Sequence, residues 1–270
     1  MKYKLFISDY DGTLGKAPEN DIDFETRKAI SEFTRKGGIF TVCSGRETGS
    51  INKILKPQGL EGLVVSLQGA HISDIQTGQT IYYGGLDKKT ATSVLDAVQD
   101  SGLVPLIYHN GDLYYQKDTE YTDVYIKNVM IDGIVTNVRE QVEKIDGIIS
   151  KICWLGDDKI VNQTAEKLNA IYKGKKVKFN SGAPCLLEAI NPECGKGFAV
   201  KFIADYYNIP LDQVIAVGDS TNDVELISGP WHGVAVGDGR EELKAVADEI
   251  TVPFDQKPVK VLLEKYCLSD

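Results

Sequence analysis

The segment Leu5-Phe6-Ile7-Ser8-Asp9-Tyr10-Asp11-Gly12-Thr13-Leu14 constrains this chain most, because an apolar run breaks off there into two carboxylates, a glycine and a hydroxyl. A short apolar run bounded by turn residues suits a buried central strand, and in open α/β sheets ligands collect beyond the carboxyl ends of such strands. Side chains two apart on an extended segment leave from the same side, so Asp9 and Asp11 can converge just past the strand. Two such anions together need a cation or a proton. Taken alone, the segment is equally compatible with an Asp-Gly turn in which Asp9 caps a neighbour.

The residues that follow favour the sheet. Asp23 is placed to cap a helix carrying Phe24, Ile30 and Phe33 that stops at Gly37-Gly38. The β-rich run Ile39-Phe40-Thr41-Val42-Cys43 leads into Ser44-Gly45-Arg46. A short helix with Ile51, Ile54 and Leu55 closes at Pro57, and a third strand from Leu63 to Leu67 leads to Gln68-Gly69-Ala70. This βαβαβ rhythm predicts a parallel sheet with right-handed crossovers. From Gly84 the pattern changes to a helix near 90–100 and a hairpin marked by Asn110-Gly111, with mixed helix and strand beyond. The first pattern returns with a helix from Lys196 to Tyr207 and a buried strand, Val214 to Val217, ending in Gly218-Asp219-Ser220-Thr221-Asn222-Asp223. Short strands at 234–236 and 250–252 complete it. The expected fold class is α/β: a Rossmann-like parallel-sheet core, 1–83 and 188–270, with an α+β cap domain, 84–187, inserted.

Composition limits the partners. A net charge of −9 over 270 residues leaves no general basic field for nucleic acid or an anionic membrane surface, and no apolar run is long enough to span a bilayer. The five cysteines, Cys43, Cys153, Cys185, Cys194 and Cys267, are scattered without zinc or disulfide spacing, as in a reduced cytoplasmic protein. The expected assembly is a monomer or small homo-oligomer acting on a small phosphorylated metabolite.

That substrate class follows from the strand and helix ends. Asp9/Asp11/Thr13, Ser44/Arg46, Lys196 and Asp219/Asn222/Asp223 together form a set suited to phosphoryl transfer, which needs an in-line nucleophile, a cation against charged oxygens and surrounding donors. Asp9 can be the nucleophile, and Asp11 is placed to protonate the leaving oxygen and then deprotonate water. An oxygen-only site from Asp9, Asp219 and Asp223 suits Mg²⁺.

These residues resemble the haloacid dehalogenase-like phosphatases, specifically the Cof-type branch with an α/β cap inserted after the third core strand. Asp9-Tyr10-Asp11-Gly12-Thr13 matches the nucleophile loop, Ser44-Gly45-Arg46 the phosphate-binding turn, Cys194-Gly195-Lys196-Gly197 the lysine motif, and Gly218 to Asp223 the metal motif. The resemblance implies a phosphoaspartyl intermediate on Asp9, with Asp11 as acid/base and Ser44 and Lys196 as phosphate ligands. It also implies Asp219 as metal ligand, Asp223 and Asn222 in support, and Mg²⁺ bound by the backbone carbonyl of Asp11. Thr13, Gly45 and Arg46 join the phosphate-binding set, although Arg46 suits a salt bridge equally well.

The chain departs from the family pattern at Gln68-Gly69-Ala70, where Asn-Gly-Ala is usual, and at Gly237-Asp238, where Asn-Ala is usual. The expected function is Mg²⁺-dependent hydrolysis of small phosphomonoesters, sugar phosphates foremost. The alternatives are a phosphotransferase or phosphomutase sharing the core chemistry and, in another class, a receiver-type signalling domain. Asp9-Tyr10-Asp11 and the 218–223 motif discriminate against the receiver. His71, His109 and His232 fall into no metal or nucleophile spacing and are expected to be structural.

Overall fold

The computed structural model describes residues 1–268, with the backbone alone at 182 and 183. In chain order it begins β1 (Leu5–Ser8), α1 (Phe24–Arg35), β2 (Ile39–Cys43), α2 (Thr48–Leu55), β3 (Leu63–Ser66), β4 (His71–Asp74) and β5 (Thr80–Tyr83). Then come α3 (Lys88–Val98), β6 (Val104–His109), β7 (Asp112–Tyr115), α4 (Glu120–Val129), β8 (Gly133–Val135), α5 (Val138–Lys144), β9 (Lys151–Leu155), α6 (Asp158–Ile171), β10 (Lys178–Ala183) and β11 (Leu186–Ile190). The chain closes with α7 (Lys196–Tyr206), β12 (Val214–Gly218), β13 (His232–Ala235), β14 (Glu249–Ile250) and a helix, Pro258–Leu263. No helix among the described residues is long and apolar enough to cross a membrane.

Two compact units result, one of residues 1–81 with 196–270 and one of 82–195. Residues 188–195 pack with the second unit because β11 pairs along its length with β9.

The first unit's sheet has the order β14-β13-β12-β1-β2-β3-β4-β5. β1 lies at its centre, parallel to β12 on one side and β2 on the other, and its four residues are completely buried. Apolar side chains can face both ways on such a strand because helices cover both faces. Phe6 stacks on Phe40 at 5.5 Å and meets Phe33 of α1 edge-on at 6.5 Å. Helix α1 forms as its sequence indicates: Asp23 accepts from the backbone N–H groups of Glu25 and Thr26, and Ala29, Ile30 and Phe33 form the buried stripe. Gly38 follows where a Cβ would collide with the Phe33 ring.

The region after β3 departs from the sequence reading. A tight reversal leads at once into β4, a strand not anticipated there, antiparallel to β3 with Val65 opposite Ile72. β4 and β5 thus extend a parallel sheet with strands too short and polar to stand out in the sequence.

The second unit's sheet has the order β10-β11-β9-β6-β7-β8. The Asn110-Gly111 turn joins β6 to β7, both residues having left-handed backbones as a two-residue hairpin requires. Alternation sends Ile107, Ile152, Trp154, Leu187 and Ala189 to one face, where they form an apolar core with α3, α5 and α6 residues. Lys151 and Glu188 are also buried, and their side chains form an ion pair at 2.7 Å. The sequence reading contained neither α4, whose start carries a Thr119/Thr122 capping box, nor α5, capped by Asn137.

Candidate active site

The carboxyl ends of β1, β2, β3 and β12 lie side by side, so the residues following them gather although they are far apart in sequence. Asp9 continues β1, its N–H donating to Val217 O at 2.9 Å. Lys196 opens α7 and is buried, with Nζ donating to Asp9 Oδ1 and to Asp223 Oδ1, both at 2.6 Å. The other oxygen of Asp223 accepts from the backbone N–H groups of Asp219 and Ser220, at 3.2 and 3.1 Å. One carboxylate therefore braces both the lysine and the loop that carries Asp219. Thr13, also buried, donates to Asp219 Oδ1 at 3.1 Å. Gly12 has φ +86° and passes so close that a Cβ there would lie 2.6 Å from Asp219 Oδ2. No larger residue fits between the first and last motifs.

Asp9, Asp219 and Asp223 each bring a carboxylate oxygen within 4.8 Å of the others. One lysine faces three acids, leaving an excess of negative charge in a dry place. Burial and the neighbouring Asp223 push the Asp9 carboxyl well above its ordinary range, against the pull of Lys196. Burial, with Asp223 beside it, raises Asp219 to about 6. The lysine is pushed upward by Asp223 and Asp9 despite its burial. Carboxyls driven to hold protons by one another are what a cation relieves, and an all-oxygen donor set fits a hard divalent ion.

Asp11 stands apart from this cluster. Its carboxylate is gripped by Arg46, Nε to Oδ2 at 2.8 Å and Nη2 to Oδ1 at 2.7 Å, and the guanidinium lies 5.3 Å from the Tyr10 ring centroid. Of the two roles the sequence allows for Arg46, this state shows the salt bridge. Ser44 is buried after β2, with its Oγ accepting from Arg46 N–H at 3.1 Å. Gly45 is covered by the Gln68 side chain, and Asn222 Nδ2 donates to Gln68 Oε1 at 3.4 Å. The structure thus brings the sequence-predicted residues into three adjoining groups: Asp9, Thr13, Lys196, Asp219 and Asp223; Asp11 with Arg46; and Ser44, Gly45 and Asn222 around Gln68.

Sequence reasoning missed Glu47, which caps α2 and fixes the end of the Ser44 turn by accepting from Gly49 N–H at 2.6 Å and Ser50 N–H at 3.1 Å. An acid just before an apolar helical run was the available signal. The Gly237-Asp238 departure has a local cause: a Cβ at Gly237 would meet Thr251 O at 2.7 Å, and Asp238 accepts from Phe254 N–H at 2.9 Å. His71 bridges two hydroxyls, Nδ1 to Thr48 at 2.6 Å and Nε2 to Thr80 at 2.9 Å, in the structural role expected of it.

Residues 6–262 match the family model of the haloacid dehalogenase-like hydrolases. The chain belongs to that family. Among its relatives, phosphatase YwpJ of Bacillus subtilis (strain 168) is 27% identical over 283 residues, covering 97% of this chain and 99% of that protein. The 5-amino-6-(5-phospho-D-ribitylamino)uracil phosphatase YwtE of the same organism is 24% identical over 286 residues, covering 97% of each. Among solved structures, the haloacid dehalogenase subclass IIB sugar phosphatase BT4131 superposes with a TM-score of 0.82 at 18% identity, over 97% of this chain and 98% of that one, a likeness of fold. This haloacid dehalogenase-like hydrolase is a phosphatase.

Proposed function

We propose that this phosphatase hydrolyses small phosphomonoesters, sugar phosphates foremost, in the cytoplasm, through a phosphoaspartyl intermediate on Asp9 and with Mg²⁺ bound. The observation that carries the reading is the buried Asp9–Lys196–Asp223 arrangement with Asp219 beside it at the end of the central strand. The relative YwtE, a 5-amino-6-(5-phospho-D-ribitylamino)uracil phosphatase, supports the substrate class, and the sugar phosphatase BT4131 shares the fold.

In this reading Asp9 attacks phosphorus in line, an Asp9 O–P bond forms, and the bond from phosphorus to the ester oxygen breaks. Asp11 gives its proton to that leaving oxygen, then takes one from the water that attacks the phosphoaspartate, so orthophosphate leaves and Asp9 is restored. Arg46 must yield Asp11 for this to happen, since the guanidinium holds both of its carboxylate oxygens. Lys196 keeps Asp9 oriented and offers positive charge to the phosphoryl oxygens, with Ser44, Gly45, Arg46, Asn222 and Thr13 completing the pocket. Asp9, Asp219, Asp223 and the Asp11 carbonyl would hold Mg²⁺, which supplies charge against the phosphoryl group and relieves the crowding of carboxylates. Residues 84–187 serve as the substrate-selecting lid, a role supported by the position of all four motifs outside them.

A panel of phosphosugars, nucleotides, phosphoglycolate and pyridoxal phosphate, scored for free phosphate with Mg²⁺ and with EDTA, tests the reading. Sugar phosphates should rank first and EDTA should abolish release. Undiminished release after exhaustive chelation would remove the metal from the mechanism.

A further inference from the structure

Three consecutive residues after β3 have left-handed backbones: Leu67 at φ 51°, Gln68 at 61° and Gly69 at 105°. Glycine takes such a conformation freely and asparagine tolerates it, but leucine and glutamine rarely do. Backbone strain of this kind persists where the surrounding structure needs the side chain it delivers.

The side chain delivered here is the Gln68 amide, 7% exposed and wedged among three strand ends. Its backbone N–H donates to Ser44 O at 3.1 Å, and the Leu67 N–H donates to Arg46 O at 2.8 Å, so the strained turn is tied to the Ser44-Gly45-Arg46 turn. Oε1 accepts from Asn222 Nδ2 at 3.4 Å. Nε2 lies over Gly45, where a Cβ would come within 2.5 Å of it. With Oε1 turned to Asn222, Nε2 keeps two N–H donors, and no hydrogen bond among the described residues uses them.

We infer that Gln68 is a phosphate-binding residue, its Nε2 donating to a phosphoryl oxygen held over the Ser44-Gly45-Arg46 turn. Asn222 sets which way the amide points. The inference rests on the proposed function, which puts the phosphoryl group at that turn. Both groups flanking the amide belong to the phosphate side of the site, so it meets the phosphoryl group and not the alcohol portion of the ester. A neutral donor adds a hydrogen bond to a dianion without adding charge to a pocket that already holds Lys196 and Arg46.

The test compares wild type with Gln68→Gly, Gln68→Asn and Gln68→Glu. Inorganic phosphate binding is read by calorimetry in Mg²⁺ buffer, and KM is read for a sugar phosphate and an aryl phosphate. Gln68→Gly relieves the backbone, so its melting temperature should hold or rise while phosphate affinity falls about tenfold and both KM values rise by a similar factor. Gln68→Asn, comfortable at this φ but one methylene short, should fall between, and Gln68→Glu, an acceptor facing an anion, should lose most. A folded Gln68→Gly protein with unchanged phosphate affinity would overturn the inference. So would a KM rise for the sugar phosphate alone, which would put the amide against the alcohol. A wild type that binds phosphate but releases none from the whole panel would refute the proposed function, while a loss of that binding in Gln68→Gly would still uphold the amide's contact with phosphate.

Discussion

Each unit of this protein buries one lysine among its described residues, and the two are built on opposite charge balances. In the second unit Lys151 meets Glu188 at 2.7 Å, with its ammonium 5.2 Å from the Tyr108 ring centroid, so a buried cation meets a buried anion beside an aromatic face. In the first unit Lys196 meets two carboxylates at 2.6 Å each, and a third lies in the same cluster. Both lysines are pushed upward by their acidic partners. In the first unit Asp9 and Asp219 are raised as well, because one lysine cannot neutralise three carboxylates. A balanced buried pair is an internal fastening, while an unbalanced one awaits a further cation and an anionic ligand. Burial and distance alone would have ranked the two alike.

The strongest test of the unbalanced site is its nucleophile. Asp9→Asn keeps the shape of the side chain but cannot form the acyl phosphate, so turnover should fall by at least ~10⁴-fold while the protein remains folded. Near-normal release of phosphate by that variant would end the assignment.

Next in size is the contrast between the lysines. Lys196→Met should lower turnover of a small aryl phosphate by about 10²–10³-fold, the scale of losing one preorganised charge at a reacting centre. Lys151→Met should leave that turnover within about twofold but cost ~3–5 kcal/mol of stability, because it strands Glu188 without its partner. Aryl phosphate kinetics together with denaturant melts separate the two effects. Equal kinetic losses would mean that charge balance does not distinguish a site from a fastening.

The history of each lysine in the sequence explains why only one was legible there. Lys196 falls inside Cys194-Gly195-Lys196-Gly197 and in order with three other motifs, so its role could be anticipated without contacts. Lys151 falls in the inserted α+β region outside every motif, and its partner lies 37 residues on, which only strand register makes adjacent. The same limit hid the grip of Arg46 on Asp11 across 35 residues. Strands β1, β2, β3 and β12 were legible because burial on both faces makes them continuous apolar runs. β4 and β5 were not, since His71-Ile72-Ser73-Asp74 and Thr80-Ile81-Tyr82-Tyr83 are short and partly polar. The reversal that makes β4 antiparallel uses Leu67 and Gln68 at left-handed angles that their residue types do not advertise.

A smaller effect, of opposite sign to ordinary acid denaturation, should appear in the pH dependence of stability. Asp219 titrates near 6 in the folded protein, above its ordinary 3.8, so the folded state holds this proton more tightly than the unfolded chain. Its contribution therefore rises as pH falls from about 6 to about 4 and is absent above that window. Bound Mg²⁺ stabilises the ionised form, so the gain in melting temperature from Mg²⁺ should be largest above pH 6 and shrink towards pH 4. Asp219→Asn should flatten this trend. A magnesium effect that is constant from pH 7.5 to 4.5 would separate the ion from these carboxylates.

The smallest expected effect concerns the balanced pair taken as a whole. Replacing both members, Lys151→Met with Glu188→Leu, removes the attraction and the cost of burying two charges together. In buried pairs these nearly cancel or favour the apolar version. The positions suit the exchange: Lys151 and Glu188 lie on neighbouring strands, and Ile190, Leu155 and Leu106 are buried on the same sheet. The double variant should therefore stay within about 1 kcal/mol of wild type, or exceed it, although Lys151→Met alone loses several times that. Denaturant melts of the two single variants and the double variant give the coupling directly. If the double variant is no more stable than Lys151→Met, the pair is not self-contained, and Lys151 has a second anionic client comparable to those of Lys196.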